Sequence, residues 1–103
     1  MGSFDDAVTL AMDVWFGADM ADPMTYNGSD IPGQVLGSGT EQDANSVFDF
    51  LDVEVKASDV PAVTYLTDTL VHNSLTWKYP RVTGQDAYTK KIRFIRNQRP
   101  KVR

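Results

Sequence analysis

Cysteine is absent from the 103 residues. A disulfide framework, a zinc–thiolate site and a thiol nucleophile are therefore all excluded. Histidine occurs once, at His72. No apolar run approaches the roughly 20 residues that a membrane-spanning helix needs. The opening MGSFDDAVTL places acids where a secretory signal carries bases, so no signal peptide is expected and synthesis in the cytoplasm is the plain reading. Bases are also scarce through the first three-quarters of the chain. Residues 1–77 hold one base, Lys56, and thirteen acids, a net −12, while residues 78–103 hold nine bases and one acid, Asp86, a net +8. The overall charge of −4 conceals this split.

What is present suits one small folded domain: 42% of residues are apolar and 11% aromatic. The expected organisation is a single domain over 1–96 followed by a basic arm over 97–103. A helix is expected over 3–16. Ser3 can cap it, Asp5 and Asp6 suit its positive end, and Gly17 suits a left-handed stop. Phe4, Ala7, Val8, Ala11 and Trp15 form its apolar stripe, with Asp6, Thr9 and Asp13 on the polar back. Leu10 and Val14 widen the stripe on one side, Met12 and Phe16 on the other. That arc exceeds what packing on one small sheet requires; burial in the domain and contact with a second subunit both explain the excess.

Strands are expected within 24–96. MTYNGSDIPGQVL reads as strand, tight turn and strand, with Asn27-Gly28 supplying positive φ and Pro32 restricted to an edge or bulge. GSGTEQDANS, within residues 37–46, reads as a flexible polar loop. From Val47 to Val55 the alternation changes phase between Phe48/Phe50 and Leu51/Val53/Val55, which predicts a β-bulge near Phe50-Leu51. A hairpin follows, from Thr69-Leu70-Val71 through His72-Asn73-Ser74 to Leu75–Tyr79, with Leu75, Trp77 and Tyr79 on one face and Thr76 and Lys78 on the other. Residues 80–86 read as a loop. In the last strand, Tyr88 to Ile95, Ile92 and Phe94 face inward, Lys91 and Arg93 outward. No internal repeat stands out. One helix and about five or six short strands predict a mainly β fold, a small curved antiparallel sheet or barrel.

Catalytic chemistry finds little support. His72 lies in an expected hairpin turn beside Asn73 and Ser74. Ser74 and Asp68 could be recruited as nucleophile and orienting acid on paper, but turn polarity explains the same residues without a mechanism. The carboxylates of Asp49, Asp52 and Glu54 lack an EF-hand's glycine and terminal glutamate. The Gly28–Gly33 and Gly37–Thr40 stretches lack the GK[ST] ending of a phosphate loop. No enzyme, metal or cofactor is expected. The basic segment is the strongest signal. Its functional readings are phosphate contact by nucleic-acid binders and electrostatic pairing between subunits; its bland reading is neutralisation by neighbouring acidic strands. Candidate assembly or nucleic-acid contacts are Met12, Phe16, Lys78, Lys91, Arg93, Arg96, Arg99, Lys101 and Arg103.

The order of elements resembles a known family. The FDDAVTLAMDVWFG helix leads to a turn carrying Tyr26, Gly28, Ile31 and Gly33, then to the step Asp59-Val60-Pro61. Asp68, Leu70, Trp77, Tyr79 and Val82 occupy the hairpin region that follows. This pattern resembles the lambda-type phage head–tail joining (attachment) proteins and related small neck or tail-completion proteins of tailed phages and prophages. Thr67 stands where that family has glycine before Asp68. The resemblance implies a β-barrel-like domain with a helix, made in the host bacterial cytoplasm and assembled as a ring, a hexamer, at the virion head–tail interface. Its implied partners are other copies of itself and the portal-side and tail-side proteins, with transient contact to passing DNA. It implies no enzyme, cofactor or membrane.

Overall fold

Two turns close their hairpins by local chemistry. Asn27 and Gly28 sit at φ +50° and +86° and join β1 (Asp22–Tyr26) to β2 (Ser29–Gln42). Asn73 and Ser74, at φ +52° and +65°, join β4 (Thr69–His72) to β5 (Leu75–Gln85). Such left-handed pairs match the twist of the strands they connect. The structure, a computed structural model, describes residues 22–100. The helix expected over 3–16 and the last residues, 101–103, lie outside the described residues.

With β3 (Ser46–Lys56) and β6 (Thr89–Pro100), the strands form a closed antiparallel barrel in the order β1-β2-β3-β6-β5-β4. A small β-barrel is therefore what the chain forms. The β1–β4 seam that closes it is short, pairing only Thr25 with Val71 and Tyr26 with Leu70.

The other two hairpins show a repeat that sequence reading missed. Gln42-Asp43-Ala44-Asn45-Ser46 and Gln85-Asp86-Ala87-Tyr88-Thr89 make the same turn. In each, the aspartate Oδ1 accepts the backbone N–H two and three residues ahead, at 2.7–2.8 Å. The aspartate N–H in turn donates to the carbonyl of Ser46 (2.9 Å) or Thr89 (3.0 Å). The two N–H donors also hold the Asp86 carboxyl below its ordinary range.

These turns correct three boundaries. Residues 37–42, expected as flexible loop, belong to β2, and Asp43 makes the turn. Residues 80–85, also expected as loop, continue β5. Asn97–Pro100, expected as an arm, continues β6 and pairs with Ser46 and Val47. The bulge is displaced as well. The β3–β6 ladder slips between Val47 and Asp49, opposite Asn97 at φ +56°, and β2–β3 slips between Val35 and Gly37. Phe50 therefore stays on the outer face, while Leu51, Val53 and Val55 point into the core. Pro32 faces Pro23, and the β2–β3 ladder starts only at Gly33, so the proline has its expected one-sided pairing.

The core comprises Met24, Tyr26, Ile31, Leu51, Val53, Val55, Val60, Leu70, Trp77, Ile92 and Phe94. Tyr26 meets Phe94 edge-on at 6.1 Å between centroids. Gly33 gives room to the end of the Met24 side chain: a Cβ there would lie 2.6 Å from Met24 Sδ, and the thioether would have to shift.

One end of the barrel is stopped by the β3–β4 connection, residues 57–68. Val60 is 1% exposed, and its carbonyl accepts the Lys90 Nζ at 2.6 Å. Asp68, also buried, accepts the Tyr26 hydroxyl (2.6 Å), the Asn27 amide (2.9 Å) and the Thr64 N–H (2.8 Å). Burial pushes the Asp68 carboxyl up, but these donors outweigh it and hold the group below its ordinary range. Burial, the hydrogen bond to Asp68 and its negative charge together push the Tyr26 hydroxyl well up.

Candidate functional site

The strands differ in length, and the excess lies at the other end of the barrel. The β1–β2 ladder stops at Asp22–Gly33 and the β5–β6 ladder at Lys78–Ile95. Beyond that level β2, β3 and β6 continue as a three-stranded arm, from Gly37–Asp52 to Gln42–Val47 and Ser46–Pro100. Its two outer strands pair with no further strand among the described residues.

Arg93 straps the arm together. It leaves β6 and makes a two-pronged bond to Asp52 on β3, Nε to Oδ1 at 2.7 Å and Nη2 to Oδ2 at 2.9 Å. Its guanidinium crosses the Phe50 ring at 4.3 Å and reaches Glu41 Oε2 on β2 at 3.0 Å. The bond to Asp52 is the main cause that holds Arg93 protonated even more firmly than usual; partial burial opposes it and Glu41 adds to it. A planar fork of donors over an aromatic face is a role that arginine fills and lysine does not.

The other expected contacts divide. Arg96 lies 3.9 Å from Asp49 and over the Trp77 ring at 5.6 Å, and Arg99 is also 3.9 Å from Asp49. Lys91 stands opposite Glu54 in the β3–β6 register. Lys78 is exposed opposite Ile95, beside a 510 Å³ groove that Gln98 also lines. Arg81, not Lys78, faces Arg93 across the β5–β6 pair. Met12, Phe16, Lys101 and Arg103 lie outside the described residues. Part of the charge split of the sequence is thus met within the chain, because β6 lies against the acidic strand β3 and places Arg93, Arg96 and Arg99 near Asp52 and Asp49.

Tyr79 departs from expectation. It takes φ +56° at a bulge, so Pro80 rather than Tyr79 follows Trp77 into the interior. The Tyr79 ring stacks with Tyr65 at 5.3 Å, and the Arg81 guanidinium covers Tyr65 at 5.5 Å. No sequence signal marked this cluster.

Where the arm leaves the barrel, a mouth of 560 Å³ opens. Val35, Phe50, Leu51, Leu75 and Trp77 supply its apolar lining, with Asp22, His72 and Arg96 among its polar groups. It opens because β1 and β4 pair only near the stopped end. Trp77 is 7% exposed, and its Nε1 is buried without a hydrogen-bond partner among the described residues. His72 lies at this mouth, whereas the Asp68 carboxylate is engaged at the opposite end of β4. The two are not brought together. Among the described residues no three His, Cys, Asp or Glu side chains form a candidate metal cluster.

Comparison of the chain with family models, with curated proteins and with solved structures returned no match.

Proposed function

We propose that this chain is a structural assembly protein of a tailed-phage neck, joining or completing the head–tail connector through ring contacts between copies and with the portal-side and tail-side proteins. The carrying observation is the three-stranded arm: an ordered extension, strapped by Arg93, on a small closed barrel, whose two edges have no strand partner among the described residues. Open edges favour strand addition by a neighbour, with main-chain hydrogen bonds giving affinity and side chains giving register. Identical subunits that join an edge to a different surface close into a ring when the rotation permits. The Tyr65–Tyr79–Arg81 stack on the barrel wall has the composition of an interface anchor.

Pairing of Arg93, Arg96 and Arg99 with carboxylates of the same chain weakens the nucleic-acid alternative, since those guanidinium groups already have anionic partners. Arg93 is the most fully committed of the three, through its two-pronged bond to Asp52, whereas Arg96 and Arg99 share Asp49 at 3.9 Å. Edge and aromatic contacts then carry the assembly role.

The test is to shorten the arm by replacing residues 40–47 with a two-residue turn. Filled heads and tails mixed in an extract lacking the native protein should join at least tenfold more slowly with the shortened chain. Joining at the native rate would overturn the proposal.

A further inference from the structure

Beyond Lys78–Ile95 the β5–β6 ladder stops and the two strands part, residues 75–77 keeping to β4 and residues 96–100 to β3. The 510 Å³ groove between them has a bulge on each lip. Tyr79 stands at φ +56° where the β5–β6 register slips, and Asn97 stands at φ +56° where β6 slips against β3. A left-handed backbone is costly for a residue as bulky as tyrosine, and such outliers and bulges gather at sites that bind. Here the bulge turns the Tyr79 ring out of the barrel and against Tyr65 at 5.3 Å, while Arg81 covers Tyr65 at 5.5 Å. Neither β5 nor β6 carries an acid. Arg93, Arg96 and Arg99 turn to the carboxylates of β3, and Lys91 stands opposite Glu54. Lys78 and Arg81 are exposed and form no ion pair among the described residues.

We propose that this strip of β5 and its groove bind single-stranded nucleic acid over a few nucleotides. Lys78 at the groove and Arg81 beyond the tyrosines are the phosphate contacts. The Tyr79 ring offers a face on which an unstacked base lies. Thr76, Asn97 and Gln98 line the groove with hydroxyl and amide groups, which donate to and accept from base edges. A duplex fits the strip poorly, because its bases are already stacked and only two cations without an acidic partner face its phosphates. An acidic peptide would use the two cations and leave the tyrosine ring and the amides idle. The site lies on β5, apart from the arginines of β6 that face carboxylates, and it stands independently of the assembly role.

The test follows the fluorescence anisotropy of a fluorescein-labelled twelve-nucleotide oligothymidylate with the full chain, between about 50 and 200 mM salt. Two phosphate contacts on a single strand predict a slope of about −1.4 in log K against log salt, and Lys78→Gln or Arg81→Gln should each remove about 0.7 of it. Both variants replace exposed side chains, so the slope reads the contact rather than the fold. Tyr79→Leu should weaken binding at least fivefold and leave the slope in place, whereas Tyr79→Phe keeps the ring and should bind as the native chain does. Polyglutamate of the same length should displace the oligonucleotide at least fivefold less well than unlabelled oligothymidylate. No binding at the lowest salt, slopes unchanged in both glutamine variants, or native affinity in Tyr79→Leu would overturn the proposal. Equal displacement by polyglutamate would overturn it too, and would assign the strip to an acidic protein segment.

Discussion

At the stopped end of the barrel, Asp68 gathers three donors from two separate segments, the β1–β2 hairpin and the β3–β4 connection, and Val60 is buried within the same connection. At the mouth, Trp77 holds a buried N–H with no partner among the described residues, and Arg96 sits 3.9 Å from the nearest carboxylate oxygen of Asp49. The same strands thus finish in a satisfied polar network at one end and an unfinished one at the other. Buried polar groups are rarely left unpaired without a reason. The stopped end is where the described chain secures its own fold; the mouth and arm are where the described residues leave polar groups and strand edges without a partner of their own.

Substitutions at the two ends should therefore differ in cost. Asp68→Ala strands the Tyr26 hydroxyl, the Asn27 amide and the Thr64 N–H, and should destabilise the chain by about 3 kcal/mol in urea unfolding. The same site predicts a pH dependence. Its folded carboxyl titrates below the unfolded value of about 3.9, so its stabilisation is complete above that value and lost as pH falls through the folded one. Asp68→Asn should flatten this acid limb. An unaltered limb would mean that other carboxylates dominate acid unfolding.

Val60→Ala, still at the stopped end, removes fully buried methyl groups and should cost about 2 kcal/mol. Trp77→Phe at the mouth sacrifices no hydrogen bond, only ring area and the contact with Arg96, and should cost about 1 kcal/mol. If it costs as much as Asp68→Ala, the contrast between the ends fails. Arg99→Ala, on the arm, loses a long and solvent-screened pair and should shift stability by less than about 0.5 kcal/mol. A larger loss would make the arm part of the folding unit.

Much of the local structure was legible in the residues. Asn27-Gly28 marked its turn because few residues tolerate two successive positive φ angles, and Ile92 and Phe94 showed their inward phase by alternation with Lys91 and Arg93. The repeated Gln-Asp-Ala turns were also there to be read, since each aspartate satisfies the backbone ahead of it. Gly37–Gln42 was different. It has no apolar period, and it is a strand only because β3 offers a ladder on one side.

The sequence by itself determined the Asn27-Gly28 and His72–Ser74 turns, the inward face of the last strand and the mainly β character of the fold, because these depend on backbone conformations and apolar periods within a few residues. Closure into a barrel was left to the β1–β4 seam. Only the tertiary structure decided that β6 lies beside β3 rather than at an edge. That non-consecutive pairing sets Arg93 on Asp52, Arg96 near Asp49 and Lys91 opposite Glu54. It places part of the basic end, Arg93 above all, against the chain's own acids. Electrostatic partners are chosen by spatial proximity, and no local rule along the chain states which strands will be neighbours.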